Sequence, residues 1–150
     1  MKTGSFTISP LSAPEDIDNA VAIWLAGSKR AHHFIDSNYW VQNAPVMKEV
    51  YLPQSETWVY KDEKDTMLGF VSLVDNYLAS LFVHPDVQSK GIGSRLMEKA
   101  KELRDELHLA VYVKNEQAVG FYQKHNFHSS ETRIDPNTGE AEFVMVWKNH

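Results

Sequence analysis

Residues Leu81-Phe82-Val83-His84-Pro85-Asp86-Val87-Gln88-Ser89-Lys90-Gly91-Ile92-Gly93 join an apolar run, a proline that stops it and two glycines one residue apart. An amphipathic helical pattern begins at once. A glycine turn that opens a helix presents several backbone N–H groups to one anion, at the positive end of the helix dipole, with no side chain barring the approach. The chemistry expected of this stretch is the binding of a phosphate-bearing ligand. It is not a P-loop, because no Lys-Ser or Lys-Thr follows the second glycine. Nor is it a dinucleotide fingerprint: Leu96 takes the place of the third glycine, and Lys114 stands where an acidic residue should close the next strand.

Cysteine is absent, which removes thiolate nucleophiles, thiolate metal sites and disulfides. His84, His108, His125, His128 and His150 lack metal-ligand spacing, so no metal is expected. His32 and His33 titrate near neutrality and are candidates for proton transfer. The competing reading puts one on the surface and hydrogen-bonds the other within its helix. Trp58 and Trp147 read as core; Trp24, Tyr39 and Trp40 are core residues or line a pocket between the early helices.

These groups need elements to position them. Phe6 to Ile8 reads as a short strand, and from Glu15 the residues Ile17, Val21, Trp24 and Leu25 follow helical spacing. A second helical region covers Asn38 to Tyr51, broken or kinked at Pro45 and ended by Pro53. Trp58 to Tyr60, Leu68 to Val74 and Leu78 to Val83 read as strands. After the glycine turn, Ile92, Leu96, Ala100, Leu103 and Leu107 make one helical apolar stripe, and Leu109 to Val113 is the next strand. A strand–helix–strand unit of this kind makes its two strands parallel. Asn115 and Glu116 suit the start of a helix that ends near Asn126. Phe127 to Arg133 and Ala141 to Trp147 form a hairpin around Asp135 to Gly139.

A chain of 150 residues, 43% hydrophobic and 23% charged, is expected to make one globular domain over residues 1–150. Scattered lysines and arginines and a net charge of −5 argue against nucleic acid. Met1 to Pro10 holds no apolar signal core, and no run reaches membrane-spanning length. The expectation is a cytoplasmic protein with no membrane partner.

Gln88-x-x-Gly91-x-Gly93, preceded by Leu81 to Pro85, resembles the acetyl-coenzyme A signature of the GNAT family of N-acetyltransferases. Asn115-Glu116-Gln117-Ala118-Val119-Gly120-Phe121-Tyr122-x-Lys124-x-x-Phe127 is similar to the family's second coenzyme A segment. Together the blocks cover roughly residues 70 to 130. Trp24 with Ala31-His32-x-Phe34 resembles a Thr-His-x-Phe element in a group of small bacterial GNAT proteins, with Ala31 in place of the threonine.

The resemblance implies a mixed, largely antiparallel α/β sheet with a central parallel strand pair and about four flanking helices. It implies acetyl transfer from acetyl-coenzyme A, without metal, to a primary amine on a small molecule or peptide. Gln88 opens the cofactor-binding turn, and the pyrophosphate would lie on the N–H groups of Ser89, Lys90, Gly91, Ile92, Gly93 and Ser94, with charge from Lys90 and Arg95. The pantetheine arm would bond the backbone of Leu81, Phe82 and Val83 and meet Asn115; one N–H there would serve the thioester carbonyl. Tyr122, with an ordinary phenol pKa of about 10, matches the family's general acid. The expected strand carboxylate is missing, since Ala79 and Ser80 stand there and Asp75 lies further back. That leaves His32 as the candidate base, then His33, or ordered water. With no cysteine to carry an acyl group, direct attack in a ternary complex is expected. The rivals are a non-catalytic coenzyme A-binding sensor and a transferase of longer acyl groups. Homodimers are common in such folds, and no residue here marks an interface.

Overall fold

The computed structural model describes residues 5–88 and 90–149. Ser89 of the glycine turn, His150 and the first four residues lie outside them. Seven strands form one sheet: β1 (Phe6–Pro10), β2 (Glu56–Asp62), β3 (Met67–Val74), β4 (Tyr77–Val83), β5 (Glu106–Tyr112), β6 (His128–Ile134) and β7 (Ala141–Lys148). Their order is β1-β2-β3-β4-β5-β7-β6. Every neighbouring pair is antiparallel except β4 and β5, which are parallel, as the strand–helix–strand reading requires.

Alternating side chains send the sheet's apolar residues to two faces. One face carries Val59, Met67 and Phe70 and packs on α1 (Pro14–Ala31) and α2 (Ser37–Val46) through Ala20, Ile23, Trp24 and Trp40. The other carries Val71, Leu78, Leu109 and Met145 against α4 (Ile92–Leu103) and α5 (Glu116–Lys124). Proline in the first turn, Glu15 and Asp16 beside it and Lys29 and Arg30 in the last turn suit α1 to its own dipole. Gly27 lets α1 approach β4: a Cβ there would stand 2.8 Å from the Phe82 ring.

Two sequence expectations need correction. The second helical region does not stop before Pro53. The chain widens to π geometry over Met47–Tyr51, where Leu52 donates its N–H to the carbonyl five residues back at Met47, and a short turn, α3 (Leu52–Gln54), follows. The widening lets the helical path continue between the two prolines. Leu107 belongs to β5 and not to the helical stripe. Arg104 leaves the helix in extended geometry and is held outside it by Glu56 at 2.8 Å and by the Asp75 carbonyl at 2.7 Å.

Candidate active site

The parallel strands β4 and β5 meet at one register pair, Tyr77 with His108, beside a bond from the His108 N–H to the Asn76 carbonyl at 2.9 Å. Beyond that they part, and a cleft of about 770 Å³ opens between them. The backbone facing the gap follows from the alternation of antiparallel hydrogen bonds. His84 donates to the Leu68 carbonyl at 2.7 Å, and Gly69 pairs in register with Val83. Ser80, Phe82 and His84 therefore bond β3, while Leu81 and Val83 turn their N–H and C=O groups toward the gap. On the other side, Asn149 donates to Asp105 and Val113 to Ala141. Leu107, Leu109 and Val111 are thereby committed to β7, and Ala110 and Tyr112 face the gap. The Tyr112 carbonyl is taken by the Asn115 N–H at 3.0 Å and the Val83 carbonyl by the Gln88 amide. This leaves both backbone groups of Leu81 and Ala110 and the N–H groups of Val83 and Tyr112 to pair with a ligand.

At the mouth of the gap Gly91 caps α4 at φ +80, a left-handed conformation that other residues rarely adopt, and nothing stands within 4 Å of where its Cβ would be. Gln88, Gly91, Ile92, Gly93 and Ser94 all line the cleft. The Gln88 amide donates to the Val83 carbonyl at 3.4 Å, and Ser94 Oγ lies 3.1 Å from His125 Nε2. Lys90 and Arg95 are exposed and are not among the lining residues; the Arg95 guanidinium stacks 4.4 Å above the Phe6 ring. The lysine on the cleft wall is Lys124, from α5.

Tyr122 lines the same cleft, half-buried and edge-on to Phe121 and Phe127. Burial, with a smaller push from Tyr77, raises its phenol to about 12. It is protonated throughout the neutral range. Asn115 caps α5: its Oδ1 accepts the Ala118 N–H at 3.3 Å, which turns Nδ2 toward His32 Nε2 at 3.1 Å. An amide nitrogen is a donor only, so His32 Nε2 accepts and Nδ1 carries the ring proton. Burial lowers the His32 pKa to about 4, which leaves the ring neutral. His33 is exposed.

Sequence reading missed the acidic side of the cleft. Asp135 and Glu142, from the β6–β7 hairpin, line it with Tyr77 and Tyr112. Tyr112 donates to Asp135 Oδ2 at 2.6 Å, and Arg133 pairs with Glu142 at 2.9 Å. Burial raises the Tyr39 phenol, and the negative charge of Asp135 adds to the rise. Only the strand register of a hairpin that follows α5 by many residues brings them here. Among the described residues, no group of three or more His, Asp or Glu side chains could hold a metal, and no helix is long and apolar enough to cross a membrane.

A sheet split at one parallel pair, with a glycine turn and helix N-terminus at the mouth of the split, is the architecture of GNAT acetyltransferases. The chain belongs to this family: the Acetyltransferase (GNAT) domain model matches residues 53–129. It is an acetyltransferase. It is 35% identical over 126 residues to the peptidyl-lysine N-acetyltransferase YiaC of Escherichia coli (strain K12), covering 83% of this chain and 86% of that one. YjaB of the same organism, also named a peptidyl-lysine N-acetyltransferase, is 35% identical over 116 residues, 77% of this chain and 78% of the other. The solution structure of apo YjaB from Escherichia coli superposes with a TM-score of 0.84 at 29% identity, over 97% of this chain and 99% of that one. The PaiA N-acetyltransferase of Thermoplasma acidophilum, solved with coenzyme A, shares the fold with a TM-score of 0.80 at 22% identity, over 96% and 99% of the two chains.

Proposed function

We propose that residues 1–150 act as one catalytic domain that transfers acetyl from acetyl-coenzyme A to the ε-amine of a lysine in a peptide or protein. The observation that carries this reading is the gap between β4 and β5. It offers unpaired backbone from Leu81 and Ala110 and the free N–H of Val83, with a glycine-capped helix N-terminus at its mouth and a protonated phenol on its wall. An amide-rich arm lies in such a gap as an added strand would, with its pyrophosphate on the N–H groups of Gly91 to Ser94 and near Lys124. The names of the two 35%-identical relatives support a peptidyl-lysine acceptor.

In the reaction the neutral amine attacks the thioester carbon, a C–N bond forms and the C–S bond breaks. A gap-facing N–H of Leu81 or Val83 holds the developing oxyanion. Tyr122, in the general-acid position, donates a hydrogen bond to the leaving sulfur, and the thiolate takes its proton from solvent. A phenol at about 12 lies well above a thiol at about 8.5, so the donation stabilises the thiolate as it forms and does not precede C–S cleavage. The amine's surplus proton leaves to solvent. His32 was the expected base, but its one free nitrogen is an N–H, so it receives a different role below. Asp135 and Glu142 give the acceptor end a negative potential that draws a cationic amine.

The test is release of free thiol when the protein meets acetyl-coenzyme A and lysine peptides, with acetylation followed by mass spectrometry. Wild type should release thiol. Tyr122→Phe should lose at least about tenfold in kcat with coenzyme A affinity little changed. Binding of coenzyme A without thiol release from any amine would instead make the chain a non-catalytic binding module, and release only with longer acyl donors would revise the acyl group.

A further inference from the structure

Among the described residues, three that line the α1–α2 wall of the cleft each carry a buried polar atom without a protein partner: Ser28 Oγ, His32 Nδ1 and Trp40 Nε1. Their residues are 0%, 9% and 7% exposed. Buried polar groups are almost always hydrogen-bonded, so three orphans on one wall call for a partner, which is ordered water in the free protein or a ligand that replaces it. They are also neighbours. Ser28 lies in the last turn of α1 and His32 caps its end, donating its N–H to the Ser28 carbonyl at 2.9 Å, and the His32 and Trp40 rings lie 5.2 Å apart, tilted by 31°.

All three atoms can donate. The indole nitrogen can do nothing else, the Asn115 amide fixes the proton of His32 on Nδ1, and the serine hydroxyl rotates freely. What donors of this kind bind is an oxygen with lone pairs. A carboxylate is disfavoured, because no lysine or arginine of α1 or α2 lines the cleft while Asp135 and Glu142 do. A neutral carbonyl fits. The donor's thioester carbonyl is already served from the gap-facing strand backbone, and the orphans lie on the sheet face opposite α4 and the glycine turn.

We infer that Ser28, His32 and Trp40 form a subsite for an amide carbonyl of the acceptor, so that the protein reads the peptide backbone beside the target lysine as well as its amine. This rests on the acetyl-transfer reading above and narrows its acceptor to amides, excluding plain alkylamines and polyamines as preferred substrates.

The experiment compares Nα-acetyl-lysine methylamide with n-pentylamine, which carries a similar amine chain but no carbonyl. The ratio of their kcat/KM values should favour the amide in wild type and fall by about tenfold in Trp40→Phe, which keeps an aromatic ring and deletes the N–H. Ser28→Ala should move the ratio in the same direction, and a coenzyme A-induced rise in Tm checks that each variant is folded. In 15N-labelled, coenzyme A-saturated protein, the Trp40 indole N–H resonance, assigned by its loss in Trp40→Phe, should shift on adding the amide and not on adding n-pentylamine. An unchanged ratio in both variants, or an indole resonance that ignores the amide, overturns the subsite. Absence of thiol release from either amine would sink the acetyl-transfer reading instead, and the indole titration then decides the subsite alone.

Discussion

His32 shows how burial and one hydrogen bond change what a side chain can do. A histidine in sequence invites the role of base, since its ordinary pKa lies near neutrality. Here burial lowers it to about 4, and Asn115 occupies its only lone pair. The folded protein holds this proton more weakly than the unfolded chain, whose histidine has a pKa of about 6.5. Unfolding therefore takes up a proton below that pH, and stability falls as pH drops from about 6.5 to about 4. His125, lowered chiefly by burial, acts with the same sign. The His32 share amounts to about 3 kcal/mol across the window. Urea unfolding of wild type and His32→Gln at a series of pH values checks it: the variant should lose most of that slope, and equal slopes would reject the assignment. At this scale the local pattern singled out the glycine turn and Tyr122, and the fold brings Gln88, Gly91, Gly93 and Tyr122 to one cleft. The sequence could not reveal the tautomer of His32 or the presence of Asp135 and Glu142, because both depend on partners distant in the chain.

The elements were more legible than their ends. α4 announced itself through Ile92, Leu96 and Ala100, all buried as the stripe requires. Its end did not, because Leu107 continues the helical spacing by chance and only the long-range hold of Glu56 and Asp75 on Arg104 turns the chain into β5. The prolines misled for the opposite reason: a local rule forecast a stop, and π geometry between them removed the need for one. The start of α4 matters most for function. At Gly91 the φ of +80 and the open space around the missing Cβ separate two costs, backbone strain and interference with a ligand. Asn and Asp are the side chains that visit left-handed geometry most readily and are nearly the same shape. Gly91→Asn and Gly91→Asp should therefore lose similar stability, about 1 kcal/mol. Asp alone adds negative charge where the pyrophosphate is proposed to lie, so it should weaken coenzyme A binding at least about tenfold more than Asn does. Calorimetric titration of both variants measures the difference. Equal affinities would move the phosphates away from the turn.

Across the whole molecule the sheet is two sheets joined at a narrow hinge. Strands β1 to β4 and strands β5, β7 and β6 each hold together by extended antiparallel ladders, three of them with a bulge, while β4 and β5 share one register pair. The parallel pairing was legible from the strand–helix–strand order. Its opening was not, because it depends on where β5 stops following β4, and no sequence period encodes that. A ligand laid in the opening completes the sheet, so its binding should report through the backbone in an alternating pattern. In the free protein the amides of Ser80, Phe82 and His84 bond β3 and should exchange slowly, while those of Leu81 and Val83 face the gap and should exchange quickly. At about 100 times its Kd, coenzyme A should stabilise the fold by about 2.7 kcal/mol. Exchange at Leu81, Val83 and Ala110 should then slow by well over the change at Ser80 and Phe82, because only the first three gain a new partner. Residue-resolved hydrogen exchange with and without coenzyme A measures this. A uniform slowing along β4 would mean that the ligand merely stabilises the fold from elsewhere, and the strand-like placement of its pantetheine arm would have to be abandoned.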